Sequence, residues 1–249
     1  MIFSGLMIPF AGTALGAAMV FLMKNKTHEA VRQLLLGFAA GIMTAASVWS
    51  LLLPAIEMSD SIVPYTVGFA GGTVILLVLD KGISRLYEKS TAAISTGSNT
   101  LMMALVVTLH NIPEGMAVGV TLAAATGSRP TVTVAAALAL SVGIAIQNFP
   151  EGAIISLPLK AEGISKGKAF LWGALSGAVE PIFGFITLLL TGTVMAALPY
   201  LLSFAAGAMI YVVAKELIPE SHSSRYADLA HGGLTAGFIV MMLLDVCFG

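Results

Sequence analysis

The sequence contains two similar six-residue stretches inside long apolar runs, His110-Asn111-Ile112-Pro113-Glu114-Gly115 and Gln147-Asn148-Phe149-Pro150-Glu151-Gly152. They are identical at four of the six positions. Residues i and i+4 lie on one face of a helix, so His110 is paired with Glu114, and Gln147 with Glu151. The asparagine in each stretch lies about 100° further round, on the adjoining side. The pattern predicts two helices that present ligand-type side chains to one pocket.

The regions around these stretches are equally apolar. The chain has 249 residues, of which 57% are hydrophobic and 10% charged, and its mean hydropathy is +0.95. An ordinary soluble domain is about 25% charged, and about 20 apolar residues cross a bilayer as a helix. We therefore expect an all-α polytopic membrane protein in which residues 1–249 form a single transmembrane domain. The predicted spans lie near residues 2–22, 33–55, 62–84, 101–124, 131–157, 168–190, 197–217 and 231–248.

Charge and cysteine content exclude several classes of protein. The 12 Lys and Arg residues balance 13 Asp and Glu residues, so no basic patch for nucleic acid is expected. Cys247 is the single cysteine, which excludes a disulfide within one chain and a Cys-x-x-Cys metal site. A bound metal ion must then depend mainly on nitrogen and oxygen ligands, with methionine sulfur as a softer alternative.

The basic residues predict the orientation of the chain. All 12 Lys and Arg residues except Arg129 fall in loops on one face of the eight spans, and loops rich in Lys and Arg lie on the cytoplasmic side. Both termini are then extracytoplasmic, in a multi-pass protein of the plasma membrane, or of the inner membrane in a Gram-negative cell. Glu57 and Asp60 fall in an outer loop, which gives the outer mouth an acidic character suited to a cation.

A weak internal repeat relates the two ends of the chain. Phe-Ala-Ala-Gly-Ile-Met at residues 38–43 recurs as Phe-Ala-Ala-Gly-Ala-Met at residues 204–209, and each copy is followed by a proline, Pro54 or Pro219. Spans 1–3 then correspond to spans 6–8 and run in the opposite direction. Such inverted repeats are common among secondary transporters, whose substrate sites lie near the bilayer midplane. Chance recurrence of Ala, Gly and Phe is the alternative.

A third carboxylate, Glu180, is predicted at the middle of span 6. A buried acidic residue costs about 2.5–3.5 kcal/mol at a helix centre, and intramembrane ionisable residues are functional by default. Hydrogen-bonded or protonated structural carboxyls are the alternative. Imidazole, carboxylate and amide oxygen together suit zinc, iron(II), manganese or cadmium. The three carboxylates therefore favour a site for divalent cations.

The paired Pro-Glu-Gly motifs resemble those of the zinc-iron permeases, or ZIP family, and in particular its bacterial-type branch, which carries His-Asn-x-Pro-Glu-Gly in helix 4. The resemblance covers the whole chain and implies eight helices in a 3+2+3 arrangement. It implies uptake of metal into the cytosol, with helices 1, 4, 5 and 6 moving as a block past the others. It also implies a binuclear centre. The first site would use His110, Glu114, Gln147, Glu151 and Met43, and the second Asn111, Glu114, Asn148, Glu151 and Glu180.

Two residues depart from the family pattern. Many relatives have a second histidine where this chain has Gln147, and some have an acid where it has Asn148. Both departures remove a strong ligand, so the selectivity of the centre and the occupancy of its second site are left open.

Weaker signals extend the route on both sides of the centre. Ser50 and Glu57 are candidates for the access route, although a membrane serine more often bonds its own backbone. Glu216 and His222 are candidates for the exit, and a solvated helix end is an equal alternative. The pairs Gly12/Gly16, Gly68/Gly72 and Gly173/Gly177 permit close helix approach, which fits packing, sliding or a homodimer.

Three functions compete at this point. The leading one is a divalent-metal uptake transporter in the lipid bilayer, with the metal, most simply zinc, as substrate and with no cofactor. The second is an intramembrane metal-dependent hydrolase, but the sequence has no His-Glu-x-x-His motif to supply ligands and a general base. The third is a structural bundle that holds its metal without exchanging it. Metal uptake into proteoliposomes separates the three.

Overall fold

A computed structural model of the protein describes residues 1–22, 29–91, 98–127, 132–161, 163–193, 197–221 and 225–248. Within these ranges the side chains of residues 83–91, 98–107, 109–110, 161 and 191–193 are not described. The described residues form helices and short connections, with no strand among them. The helices are α1 (Ile2–Leu22), α2 (Glu29–Glu57), α3 (Ile62–Thr91), α4 (Ser98–Thr126), α5 (Val134–Ala161), α6 (Lys166–Ser176 and Val179–Thr193), α7 (Leu198–Ser221) and α8 (Ala227–Phe248).

The helices confirm the polytopic fold. Among the residues that the structure describes, seven helices are long and apolar enough to cross a membrane. The eighth, α4, has 29 residues and exceeds the length that a bilayer requires. Pro113 and Pro150 lie inside α4 and α5, which continue through them as α-helix. The two predicted ligand stretches therefore lie on unbroken helices.

Two helices contain π-helical segments at matching places. Residues Ser47–Leu52 of α2 and Val213–Leu217 of α7 are π-helical, and each segment ends two residues before the proline of its repeat. Proline removes a backbone donor and clashes with the preceding turn, and π-segments are frequent at functional sites. Their equivalent positions support the inverted repeat.

The contacts between helices confirm the repeat independently. The most extensive interfaces are α1 with α5, α4 with α6, α2 with α8, and α3 with α7. The repeat relates spans 1, 2 and 3 to spans 6, 7 and 8, and span 4 to span 5. Under this relation the α1–α5 interface corresponds to the α6–α4 interface, and the α2–α8 interface corresponds to the α7–α3 interface. Single contacts obey the same exchange. A Cβ added to Gly237 would lie 2.1 Å from the carbonyl oxygen of Phe38, and one added to Gly72 would lie 2.0 Å from that of Phe204.

Close backbone approach divides the helices into two bundles. We call α1, α4, α5 and α6 the site bundle, and α2, α3, α7 and α8 the frame bundle. Gly12 and Gly16 of α1 face carbonyl oxygens of α5, and Gly68 and Gly72 of α3 face carbonyl oxygens of α7. These predicted glycine pairs are used inside the chain, so they do not indicate a dimer surface.

The two bundles pack less closely against each other at one place. An apolar groove of about 510 Å³ lies between α1 and α5 of the site bundle and α2 of the frame bundle. Leu15 of α1 and Phe38 of α2 are among the residues that line it. The boundary between the bundles therefore includes a space that tight glycine packing does not fill.

Substitution of two adjacent glycines should separate the effect of close packing from that of helix propensity. Gly72→Ala is expected to destabilise the protein by about 1–3 kcal/mol, because its Cβ would overlap a backbone carbonyl. Gly71→Ala should be neutral or stabilising, since the nearest neighbour of its Cβ lies 3.8 Å away and alanine favours helix. Thermal unfolding midpoints in detergent would measure both. Equal midpoints for the two variants would contradict the packing.

Candidate metal centre

Buried polar side chains from three helices of the site bundle meet in one place. Glu114 is fully buried, while Glu180 is 1% exposed and Glu151 is 7% exposed. The three amide side chains of the predicted centre are also fully buried: Asn111, Gln147 and Asn148. All six lie on α4, α5 or α6, as the spacing of the two motifs and Glu180 predicts.

The three carboxylates form one electrostatic group. Glu151 and Glu180 both repel Glu114, and Glu151 also repels Glu180. The side-chain amide of Asn148 interacts with the carboxylates of both Glu114 and Glu180. Buried charges of one sign require compensation from an opposite charge or from protons. A divalent cation would supply that compensation.

The amide side chains use their nitrogen atoms to bind other parts of the centre. Gln147 Nε2 donates to Glu114 Oε1 at 2.6 Å, and this bond joins α5 to α4. Asn111 Nδ2 donates to the carbonyl oxygen of Ser176 at 3.0 Å. Asn148 Nδ2 donates to the carbonyl oxygen of Pro9 at 3.4 Å. The bonds of Gln147 and Asn111 orient these two side chains so that their oxygen atoms remain available to a cation.

Five buried oxygen atoms of the centre have no hydrogen-bond partner. They are Asn111 Oδ1, Glu114 Oε2, Gln147 Oε1, Glu151 Oε2 and Glu180 Oε2. Buried polar atoms in folded proteins are almost always partnered, so each exception needs an explanation. Oxygen acceptors without donors are the expected surroundings of a metal ion. All five of these atoms therefore belong to residues that the sequence predicts as ligands.

A metal ion in this centre would need amide oxygens as ligands in addition to the carboxylates. Among the side chains that the structure describes, no three His, Cys, Asp or Glu residues form a group that could hold a metal by themselves. His110 lies on α4, but its side chain is outside the described residues. In the described part of the centre, the side-chain oxygens of Asn111 and Gln147 have no hydrogen-bond partner and are available as additional ligands.

The other predicted residues lie elsewhere. Met43 is 1% exposed and packs in the apolar core on α2, and its role as a ligand stays a prediction. Glu57 is exposed at the end of α2. Glu216 is half-buried in the π-segment of α7 and has an interaction partner. His222 lies outside the described residues.

Ser50 makes a contact that the sequence does not predict. Its hydroxyl donates to Asp245 of α8 at 2.8 and 2.9 Å from the two carboxylate oxygens. The alternative that Ser50 bonds only its own backbone is therefore wrong. Ser47, by contrast, does bond the backbone of its own helix, because its hydroxyl donates to the carbonyl oxygen of Met43. A sequence signal for Asp245 exists in the repeat, because it occupies the position in α8 that corresponds to Asp80 in α3. The latter carboxylate accepts from Tyr211 and pairs with Lys215.

Ser50→Ala should destabilise the protein because it leaves a buried carboxylate without its hydroxyl donor. Hydrogen bonds to charged groups contribute about 1.5–3 kcal/mol. Ser47→Ala is the matched control, since Ser47 is also buried on α2 but bonds only the preceding turn. The midpoint of chemical or thermal unfolding should fall for Ser50→Ala and change little for Ser47→Ala. The opposite ranking would contradict the Ser50–Asp245 bond.

Comparison with known proteins places this architecture in a family. The family model described as ZIP zinc transporter matches residues 100–245, which is more than half of the chain. The chain belongs to the ZIP family. The match includes the two Pro-Glu-Gly stretches and Glu180, and it confirms the family predicted from them.

Relatives of this ZIP chain align over nearly its whole length. It is 35% identical to the zinc transporter ZIP11 of Xenopus tropicalis, over 98% of this chain and 96% of the relative. It is 36% identical to the zinc transporter ZIPB of Bordetella bronchiseptica, over 96% of this chain and 79% of the relative. It is 30% identical to the zinc transporter ZupT of Chlorobaculum parvum, over 99% and 97%. This ZIP chain is thus a membrane transporter and not an enzyme, which removes the hydrolase alternative.

Proposed function

We propose that this protein carries divalent transition-metal ions, zinc foremost, across the membrane into the cytosol. The main support for this function is the set of five buried oxygen atoms without hydrogen-bond partners, three of which belong to mutually repelling carboxylates. Such a group is costly inside a bilayer unless a cation or protons compensate it. The metal is the substrate of the protein and passes through this centre.

The centre can be divided into two adjacent sites that share Glu114 and Glu151. Site one takes Gln147 with these two carboxylates, and His110 and Met43 are its further predicted ligands. Site two takes Asn111, Asn148 and Glu180 with the same carboxylates. Sharing is supported by the position of Glu114, which bonds Gln147 on one side and interacts with Asn148 on the other. Glu114 and Glu151 would therefore bridge two metal ions.

The ligand types favour zinc among several divalent ions. Carboxylate and amide oxygens also suit manganese and iron(II), while cadmium resembles zinc in charge. The relatives from Xenopus, Bordetella and Chlorobaculum all carry the name zinc transporter. Gln147 supplies an amide in place of a second imidazole, so competition by manganese and iron is expected to be stronger than at a site with two histidines.

Movement of the site bundle relative to the frame bundle would give access from each side in turn. All six described residues of the centre belong to the site bundle. The glycines that closely approach the backbone of another helix do so within a bundle, and the apolar groove lies at the boundary between bundles. This arrangement supports a rigid displacement of one bundle past the other, as is common in transporters with repeats.

The charge pattern supports an orientation with both termini outside, in the plasma membrane or a Gram-negative inner membrane. The exposed native Cys247 should then react with a membrane-impermeant thiol reagent in intact cells. A cysteine introduced as Lys166→Cys in a Cys247→Ser chain should react only after permeabilisation. Labelling by mass shift on gels would measure both. The reverse pattern would reject the orientation.

The proposed function can be tested with purified protein in proteoliposomes. Radioactive zinc should accumulate in the vesicles in a saturable manner, and unlabelled manganese, iron(II) and cadmium should compete for uptake. Protein-free vesicles provide the background. A protein that binds zinc tightly but does not move it into the lumen would instead be a structural bundle held by metal, and the proposal would be rejected.

A further inference from the structure

Thr13 contacts the metal centre although no motif marks it. It lies on α1 and is fully buried. Its hydroxyl donates to Glu180 Oε1 at 3.0 Å. The other carboxylate oxygen, Glu180 Oε2, has no partner. The hydroxyl therefore fixes one oxygen of the carboxylate and leaves the second for a cation.

Thr13 is held in place by glycines of two neighbouring helices. A Cβ added to Gly152 of α5 would lie 2.0 Å from the carbonyl oxygen of Thr13. A Cβ added to Gly177 would lie 2.6 Å from Thr13 Oγ1. Gly177 is also where the α-helix of α6 is interrupted, three residues before Glu180. The break in α6 thus provides the space from which Thr13 reaches the carboxylate.

The inverted repeat places Thr13 opposite Glu180. Gly115 and Gly152 occupy the same position in the two Pro-Glu-Gly stretches. A Cβ added to Gly115 would lie 2.3 Å from the carbonyl oxygen of Glu180, just as one added to Gly152 would approach the carbonyl oxygen of Thr13. Since the repeat exchanges α1 with α6, the two hydrogen-bonded residues are counterparts. One supplies a carboxylate and the other a neutral donor.

We propose that Thr13 is a positioning residue of the metal centre, and that it limits Glu180 to a single ligand oxygen in site two. This inference rests on the proposed function. Its chemical basis is that a hydroxyl at this position offsets part of the negative charge and occupies one acceptor. A second carboxylate there would add repulsion to a group that already contains three. The two halves of the repeat therefore differ at this position, and the neutral Thr13 keeps the number of carboxylates in the centre at three.

The hydrogen bond can be removed with little change in shape by Thr13→Val. Outer partners of metal ligands typically contribute about 10–100-fold to metal affinity, so we expect a loss of this size in the zinc affinity of site two. Thr13→Ser keeps the donor and should restore the affinity. Thr121→Val is the matched control, because Thr121 is 1% exposed but donates only to its own helix at Ala117. Thr13→Ala avoids overpacking if the valine variant does not fold.

Calorimetric zinc titration of the purified protein should be combined with a mutant cycle. Once Glu180→Ala has removed the carboxylate, Thr13→Val should cause no further loss, because its effect passes through Glu180. An unchanged affinity in Thr13→Val and Thr13→Ala, or losses that add to that of Glu180→Ala, would overturn the inference. Glu114→Ala distinguishes the two levels of the proposal. Normal zinc binding by Glu114→Ala would reject the metal centre itself. If Glu114→Ala loses zinc binding but the Thr13 variants bind zinc with unchanged affinity, only the role of Thr13 is rejected.

Discussion

Zinc uptake is expected to fall to near background when either Glu114 or Glu151 is replaced by alanine. Each carboxylate would serve both proposed sites, so its loss removes a ligand from two ions and reduces the charge that compensates them. Outer partners of ligands are typically worth about 10–100-fold in metal affinity, and a shared ligand should exceed that. We therefore expect a loss of at least about 100-fold in uptake at low zinc concentration, measured as the initial rate in proteoliposomes.

Conservative and distant substitutions provide the controls for this result. Glu114→Gln retains the shape and removes only the charge, so it should be almost as impaired as the alanine variant. Glu29→Ala should retain the normal rate, since Glu29 is exposed at the start of α2 and lies outside the centre and the proposed route. Near-normal uptake by correctly folded Glu114→Ala and Glu151→Ala would show that the metal passes by another route.

The parts of the centre that follow from helix geometry could be predicted from the sequence. Spacing of four residues places Gln147 beside Glu151 on one face of α5, and repetition of the motif places a similar face on α4. The apolar residues on both sides of Glu114 and Glu180 predict that the two side chains are buried, because each lies in the middle of a membrane span. All of these side chains are buried in the structure. The helix period and the burial of a residue in an apolar span depend on neighbouring residues in the chain, so both can be predicted from the sequence.

Contacts between distant helices could not be predicted in the same way. The bond of Thr13 to Glu180 joins residues from opposite halves of the repeat, and Thr13 alone resembles any threonine in an apolar helix. The bond of Ser50 to Asp245 depends on the packing of α2 against α8 and on a π-segment in α2. Helix phase within such a segment differs from the regular period. The direction of a side chain there cannot be obtained by counting residues.

The two ends of the repeat differ in charge although their frameworks match. Asp80 and Asp245 occupy equivalent positions, and each interacts with the helix that contains a π-segment. Asp80 pairs with a lysine, Lys215, whereas Asp245 accepts from a serine. In the proposed orientation the lysine lies toward the cytosol and the serine toward the outside. Asp80 is thus paired with a cation, whereas the described partner of Asp245 is a neutral hydroxyl.

Preventing motion between the two bundles should reduce zinc uptake as much as the loss of a shared carboxylate. A Cβ added to Gly143 of α5 would lie 2.3 Å from Met241 Sδ of α8, so Gly143→Cys with Met241→Cys places two thiols across the boundary. Gly5→Cys with Leu122→Cys is the matched pair within the site bundle, where an added Cβ would lie 3.0 Å from Leu122 Cδ1. Both pairs are made in the Cys247→Ser chain.

Oxidation to a disulfide with a metal-free oxidant should stop zinc uptake in the cross-boundary pair and leave it largely intact in the pair within the bundle. The physical reason is that a disulfide fixes its two Cα atoms within about 7 Å, which forbids displacement of α5 past α8 but not joint movement of α1 and α4. Reduction should restore uptake, which separates a blocked motion from a damaged site. Undiminished uptake after complete cross-linking of Gly143→Cys to Met241→Cys would mean that zinc moves through a fixed bundle. In that case the shared carboxylates would act as a binding point in a channel, and their alanine variants would alter selectivity more than rate.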